Sequence, residues 1–256
     1  MKQVKFLFVA LMAIVMSVSV TSCMNTDNNT QVSNQPIIGK VKENFLNLIF
    51  TSMDGYTFHS KNTVTNASNL SAGDFIVAAC TYDTEVDVDY SKNTIQATIG
   101  AVEKISGNRV HSTTKAEDTG SNPAFASDRG VISISDYYLR PIMLDNDNIL
   151  IPIQYFAEEK VSSHTFSLVY YTDESEMKNK SELKLYLRHK STENKDKETR
   201  QAFSYRVFNV REAISTFKRV SGNYPTKIVV VSENNASNND VPKTTITTSI
   251  DYKYKE

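Results

Sequence analysis

The residues that could do chemistry are few. His164 shares parity with Phe166, Leu168 and Tyr170, and His189 shares parity with Leu183, Leu185 and Leu187. Successive strand residues point to opposite faces, so both imidazoles are expected on the apolar side of their strands. Two inward histidines could bind a metal or pass a proton. The plainer reading is that each satisfies a backbone carbonyl or a side chain near a strand end. No Cys, His or carboxylate stands at ligand spacing from either, so the sequence assigns no metal site and no cofactor. Arg188 and Tyr186 have the opposite parity and are expected to face outward. An exposed Arg–Tyr pair could anchor a partner protein, or it could be ordinary cross-strand packing.

Asp83, Glu85, Asp87 and Asp89 alternate, so one strand face would carry four carboxylates. Hard cations want several oxygens, but a calcium loop starting at Asp83 needs Gly where Val88 stands and Glu where Thr94 stands. A solvated strand face is the better reading. Cys80 lies mid-strand with Ile76, Ala78 and Tyr82 on its face and no cation nearby, which marks a small buried hydrophobe rather than a reactive thiol. No Gly-x-Ser-x-Gly elbow and no phosphate-cradling glycine loop occurs, so no catalytic residue is assigned.

The strongest single signal is Cys23. Lys2 and Lys5 precede an apolar run from Phe6 to Val20, and Thr21-Ser22 lead into the cysteine. The run is short for a membrane span and has the build of a secretory leader. Small residues directly before a cysteine look like a bacterial lipoprotein signal, with Val20 in place of the usual Leu. Residues 1–22 are then the leader and Cys23 carries the lipid. Residues 23–36 are Asn/Thr-rich and are expected to form a flexible tether. Several acyl chains, at about 0.8 kcal/mol per buried methylene, hold a domain on a membrane essentially permanently. The address is the cell envelope, with the outer membrane preferred. Asp27 is the only acid just after the cysteine, so periplasmic and surface-facing orientations both stay open.

Removing the leader deletes Lys2 and Lys5 and no acid, which leaves 26 basic against 29 acidic residues and a net charge of −3. That charge, with acids flanking the aromatics of the first half, speaks against nucleic acid and leaves a protein or a glycan as partner. With Cys23 acylated, Cys80 is the sole thiol, so stability must come from a packed core without an internal disulfide.

Period-two alternation runs almost throughout and argues for antiparallel sheet. Phe45–Phe50 reads as a strand, Asp54-Gly55 as a turn, and Tyr56-Thr57-Phe58 as the returning arm. Phe75–Tyr82 and Ile95–Ile105 are further strands. Residues 106–129 are rich in Ser, Thr, Asn and Gly and read as a loop and domain boundary. Beyond it, the Asp145–Asn148 cluster is a hairpin turn, and Pro141 and Pro152 must sit where no ladder donor is needed. His164–Tyr171, Leu183–His189, Phe203–Phe208, Lys227–Ser232 and Thr244–Tyr254 are strands, and Lys190–Arg200 is a solvated loop. One helix is expected, capped by Asn209 with Glu212 three residues on, and stopped by Gly222.

These features together resemble the NigD-like family of bacterial envelope lipoproteins. The likeness rests on the Asp54-Gly55 hairpin, Gly73-Asp74-Phe75-Ile76-Val77 entering a long strand, His164-Thr165-Phe166-Ser167-Leu168-Val169, and Leu185-Tyr186-Leu187-Arg188-His189 followed by Phe203-Ser204-Tyr205. The chain departs from it at Tyr137-Tyr138, where a Trp is expected, and in the Asn209–Gly222 helix. The resemblance implies an all-β protein, with an OB-like small barrel over residues 37–129 and an antiparallel β-sandwich carrying one short helix over 130–256. It brings no catalytic residues and suggests at most an immunity-like role. Two functional expectations follow. One is a non-enzymatic, lipid-anchored binding or accessory protein. The other is an envelope hydrolase with a site at the domain junction, using His164, His189 and carboxylates of the first domain.

Overall fold

Gly39 belongs to two ladders at once: it stands opposite Ser52 on one side and Ile76 on the other. It lies in the long first strand, β1 (Gln31–Asn44), which pairs with β4 (Phe75–Asp83) through its first part and with β2 (Leu48–Ser52) through its last. The computed structural model describes residues 30–105, 107–119, 125–135, 139–158, 163–194, 196, 198–234 and 244–254. The leader, Cys23 and Tyr137-Tyr138 lie outside the described residues. The chain divides into two units, Met1–Ile105 and Ser106–Glu256.

In the first unit, β3 (Thr57–Ser60), β5 (Val88–Asp89) and β6 (Thr94–Lys104) complete a sheet of order β3-β2-β1-β4-β6-β5. A parallel pairing of β3 with β6 closes five of the strands into a barrel. A 3-10 turn at Thr65–Asn69 links β3 to β4. This is an OB-like barrel, and its closure removes the exposed edges that an open sheet would leave. Phe50 and Phe58 stack at 5.0 Å in its core, beside Val41, Ile76, Cys80 and Ile99. Gly55, with φ of 93°, makes the expected β2–β3 turn.

Two boundaries move. Residues 31–36, expected in the tether, are strand, because the polar backbone from Gln31 pairs with β4 (Gln31 opposite Asp83, Gln35 opposite Cys80) although the side chains stay largely outside. The strand expected at Phe45 begins at Leu48; Phe45 and Leu46 are 86% and 79% exposed in the β1–β2 turn.

The second unit comprises β7 (Gly107–Thr113), α1 (Lys115–Asp118), β8 (Ile142–Met143), β9 (Asn148–Ala157), β10 (His164–Tyr171), α2 (Glu174–Met177), β11 (Glu182–Ser191), β12 (Arg200–Asn209), α3 (Arg211–Ser221), β13 (Lys227–Asn234) and β14 (Thr244–Asp251). The boundary expected at 129/130 therefore lies at 105/106. The polar stretch read as a linker contains β7, whose work is done by backbone pairing. Its Gly107–Arg109 part pairs with β12 and its Val110–Thr113 part with β10. One strand thus passes from one sheet to the other. The two sheets enclose one core, with Ile149, Ile151, Ile153 and Phe208 from one and Leu168, Leu185, Leu187 and Val230 from the other. The unit is a β-sandwich, but β7–β10, β7–β12 and β11–β13 pair in parallel where periodicity alone suggested antiparallel strands. The β11–β13 pair is joined through β12 and α3, the kind of long crossover that parallel neighbours require.

Pro152 sits in β9 opposite Tyr205. Two residues on, Gln154 turns its N–H and C=O to Ser133, away from β12. Pro152 shares that direction, so its missing donor costs the β9–β12 ladder nothing. Helix α3 buries Ala213, Ile214 and Phe217, and Gly222 closes it in the left-handed region, its N–H donating to Lys218 O. The expected cap is displaced by one residue. Val210 is the cap, and Asn209 Oδ1 accepts from Arg211 N at 3.4 Å.

Candidate functional site

The register of β10 on β11 puts Phe166, not His164, directly opposite His189. His164 lies two residues earlier on the same face, and the diagonal brings the imidazoles together. Nδ1 of His164 is 2.9 Å from Nε2 of His189. Nδ1 of His189 is 2.9 Å from the Gly130 carbonyl, and Nε2 of His164 is 3.1 Å from Glu193 Oε2. Carbonyls only accept, so His189 donates from Nδ1 and accepts at Nε2. His164 must then donate from Nδ1. His164 is 5% exposed and His189 2%. Burial pulls the His189 pKa down to about 3, the cations Arg129 and Arg206 and neighbouring His164 adding to the shift and the Gly130 bond opposing it. His189 is therefore neutral at pH 7.

Carboxylates approach from the segment between β11 and β12. Glu193 Oε2 also accepts from the Glu158 backbone N–H at 2.7 Å. Glu198, 1% exposed, receives Arg129 Nε on Oε2 at 2.7 Å, while Arg129 Nη2 donates to the Glu193 carbonyl at 3.1 Å. Among the described residues Glu198 Oε1 has no hydrogen-bond partner. One donor atom from each of His164, Glu193 and Glu198 lies within 4.8 Å of the others. Tyr155 packs its ring 4.7 Å from His164 and 5.3 Å from His189, and its buried hydroxyl also has no partner among the described residues. Burial pushes that phenol up to about 12. Glu193 and Glu198, expected in a solvated loop, supply the carboxylates that stand at no ligand spacing from the histidines in the sequence. The structure folds both acids onto the strand ends.

Tyr186 and Arg188 share a face, as their parity requires, but Arg188 is not an open side chain. It is 12% exposed and ion-paired to Asp118 and, at 2.7 Å, to Glu233. Its guanidinium lies 5.5 Å from the centre of the Tyr186 ring, which stacks on Tyr171 at 4.4 Å. The Tyr171 hydroxyl donates to Asp118 at 2.8 Å. Asp118 ends α1, which Thr114 and Glu117 hold by a capping box. Nothing in strand periodicity points to Asp118, which lies in the stretch expected to be a loop. The Thr114-x-x-Glu117 spacing was the signal that could have revealed the helix.

The four alternating acids do not line one strand face. Asp83 ends β4, Glu85 and Asp87 lie in the turn that follows, and Asp89 ends the short strand β5. Asp83 accepts from the backbone of Glu85 and from Thr30, Asp87 pairs with Lys61, and Asp89 caps Ser91 and Lys92. Those contacts, in each case hydrogen bonds first, lower all three carboxyl pKa values. Cys80 is fully buried, and burial pushes its thiol up to about 12.

No protein-family model matches the chain, and neither does any curated protein sequence. Solved structures do. A "putative lipoprotein" of Bacteroides fragilis NCTC 9343 is 24% identical, covers 88% of this chain and 100% of its own, and superposes with a TM-score of 0.71. A protein of unknown function from Bacteroides vulgatus ATCC 8482 is 10% identical over 86% and 90%, with a TM-score of 0.54. A NigD-like immunity protein of Bacteroides caccae ATCC 43185 is 12% identical over 88% and 94%, with a TM-score of 0.50. The chain shares the fold of these proteins, and the resemblance to NigD-like proteins holds at that level. Among the described residues no helix is long and apolar enough to cross a membrane.

Proposed function

We propose that the protein is a lipid-anchored component of the bacterial cell envelope with a non-catalytic binding or accessory role. The observation that carries the non-catalytic part is the burial of the histidine pair. A hydrolase built on these histidines needs an imidazole open to substrate, and His164 and His189 are instead closed in by Tyr155, Phe166, Glu193 and the Gly130 carbonyl. The anchoring part is supported by the leader ending in Thr21-Ser22-Cys23 and by the fold shared with the Bacteroides fragilis protein. Tethering would raise local concentration at the membrane, so modest affinity for a partner would suffice. The partner class is a protein or a glycan, and a protective, immunity-like interaction is one form of it. The outer membrane is the proposed location.

The test uses the native lipidated protein. Cells fed a labelled fatty acid should label the wild type, while Cys23→Ser should stay as an unlabelled, longer precursor. Detergent-solubilised protein should then retain one envelope component at constant stoichiometry through purification. An unlipidated wild type would remove the address. Turnover of an ester, peptide or glycoside substrate that vanishes in His164→Gln would remove the non-catalytic reading.

A further inference from the structure

We propose that His164, Glu193 and Glu198 form a binding site for a divalent transition-metal ion, for which Zn²⁺ is the best match. The inference is independent of the binding role above. It starts from a defect in the network. Glu198 is 1% exposed, yet only Oε2 is satisfied, by Arg129. Among the described residues its Oε1 has no hydrogen-bond partner, and a buried acceptor left unmade is destabilising. With Oε2 tied to Arg129, Oε1 is the oxygen available to a cation.

The geometry fits. His164 Nε2 and Glu193 Oε2 are 3.1 Å apart. Two ligand atoms of a tetrahedral zinc with bonds near 2.0–2.1 Å lie about 3.3 Å apart. One donor atom from each of the three side chains lies within 4.8 Å of the others, so the set closes with a shift of the carboxylates. The outer partners suit the ion as well. His164 donates its other N–H to His189, which is fixed by Gly130, and this locks the tautomer that leaves Nε2 free to ligate. Arg129 orients Glu198 from its far oxygen, and Asp128 Oδ1, 3.6 Å from Arg129 Nη1, supplies a further negative charge. A nitrogen donor with two carboxylates favours zinc or a neighbouring transition metal over Ca²⁺ or Mg²⁺, which prefer oxygen throughout. Three side chains from β10 and from the segment after β11 would then be clamped at one end of the sandwich.

The experiment takes the full lipidated chain in detergent, strips it with a chelator, and titrates Zn²⁺ by calorimetry and Co²⁺ by visible absorption. The expected result is one equivalent bound, Co²⁺ ligand-field bands of a four- or five-coordinate site, and a higher melting temperature. His164→Gln and Glu198→Gln should each weaken binding by more than about 100-fold, and His189→Gln, which touches only the outer partner, by about 10–100-fold. His111→Gln, on an exposed strand position, should change nothing. X-ray absorption of the Zn²⁺-loaded wild type should show one imidazole with oxygen neighbours and no sulfur, a readout that does not depend on any variant folding. Absence of uptake by the wild type overturns the proposal. So does unchanged affinity in folded His164→Gln, or a zinc shell with several imidazoles.

Discussion

His164 and His189 share a hydrogen bond because their strands are paired one diagonal out of step: Phe166, not His164, faces His189 across the β10–β11 ladder. Diagonal neighbours on one sheet face are about 7–8 Å apart at the backbone, a span that two imidazoles can bridge. Had the strands paired with the histidines directly opposite, His189 would lose Phe166 as its stacking neighbour, now 4.4 Å away. The same face orders the chain Gly130, His189, His164, Glu193, in which each hydrogen position follows from the one before.

That chain makes stability depend on acid. The folded pKa of His189 is about 3, against 6.5 for the free side chain. The unfolded chain therefore binds a proton that the fold refuses. The contribution of His189 is complete above about pH 6.5 and is lost as pH falls toward 3, at up to about 1.4 kcal/mol per pH unit. Urea unfolding between pH 7 and pH 4 should show this slope. His189→Gln keeps a donor for Gly130 and an acceptor for His164 but cannot titrate, so its slope should be shallower. Parallel slopes for the two proteins would refute the assignment.

Asp118 and Glu233 both pair with Arg188, but they should not matter equally. The Asp118 side chain is fully buried and also accepts from Tyr171; that of Glu233 is 30% exposed. Removing a buried partner strands a desolvated guanidinium and typically costs about 3–5 kcal/mol, whereas a pair open to water is worth about 1 kcal/mol or less. Chemical denaturation of Asp118→Ala and Glu233→Ala should show that order. Equal losses would mean that solvent reaches Arg188 from the α1 side.

Much of this is legible in the residues, and what is not has physical causes. Parity placed His164 and His189 inward because burial acts on every second side chain of a strand, and Gly222 stopped α3 because only glycine takes its φ of 86° without strain. What periodicity cannot show is pairing made by backbone alone. Gln31–Pro36 and Gly107–Thr113 bury few side chains, so they read as tether and linker, yet each lies in a ladder. Register is equally invisible, and with it the diagonal that joins the histidines. Glu193 and Glu198 were hidden by their composition. In a stretch of mixed charge, nothing local separates an acid bound for solvent from one that Arg129 will draw inside.

The chain has two cysteines, and their accessibility separates the anchor from the core. Cys80 is fully buried with a thiol raised to about 12, so thiolate is scarce and shielded at pH 8. If Cys23 carries lipid, the native protein should show no thiol to a colorimetric reagent and one after denaturation. A bare Cys23 raises those counts to one and two. Cys80 reacting in the native protein would mean that β4 opens far more readily than its two ladders suggest.

Gly39 should be the least replaceable glycine of the barrel. A Cβ there would stand 2.4 Å from Phe50 Cδ2 and 2.6 Å from the Thr51 carbonyl. The ring could yield, but the carbonyl belongs to the β1–β2 ladder and moves only with the strand. The substitution must therefore open the place where β1 passes from β4 to β2, and overpacking of this kind costs about 1–3 kcal/mol. Gly107→Ala is the matched control, since its Cβ would meet nothing within 4 Å. Thermal unfolding should place Gly39→Ala well below the wild type and Gly107→Ala close to it. An unchanged Gly39→Ala would show that the barrel can relax at this crossing, so that closure does not depend on the absence of a side chain there.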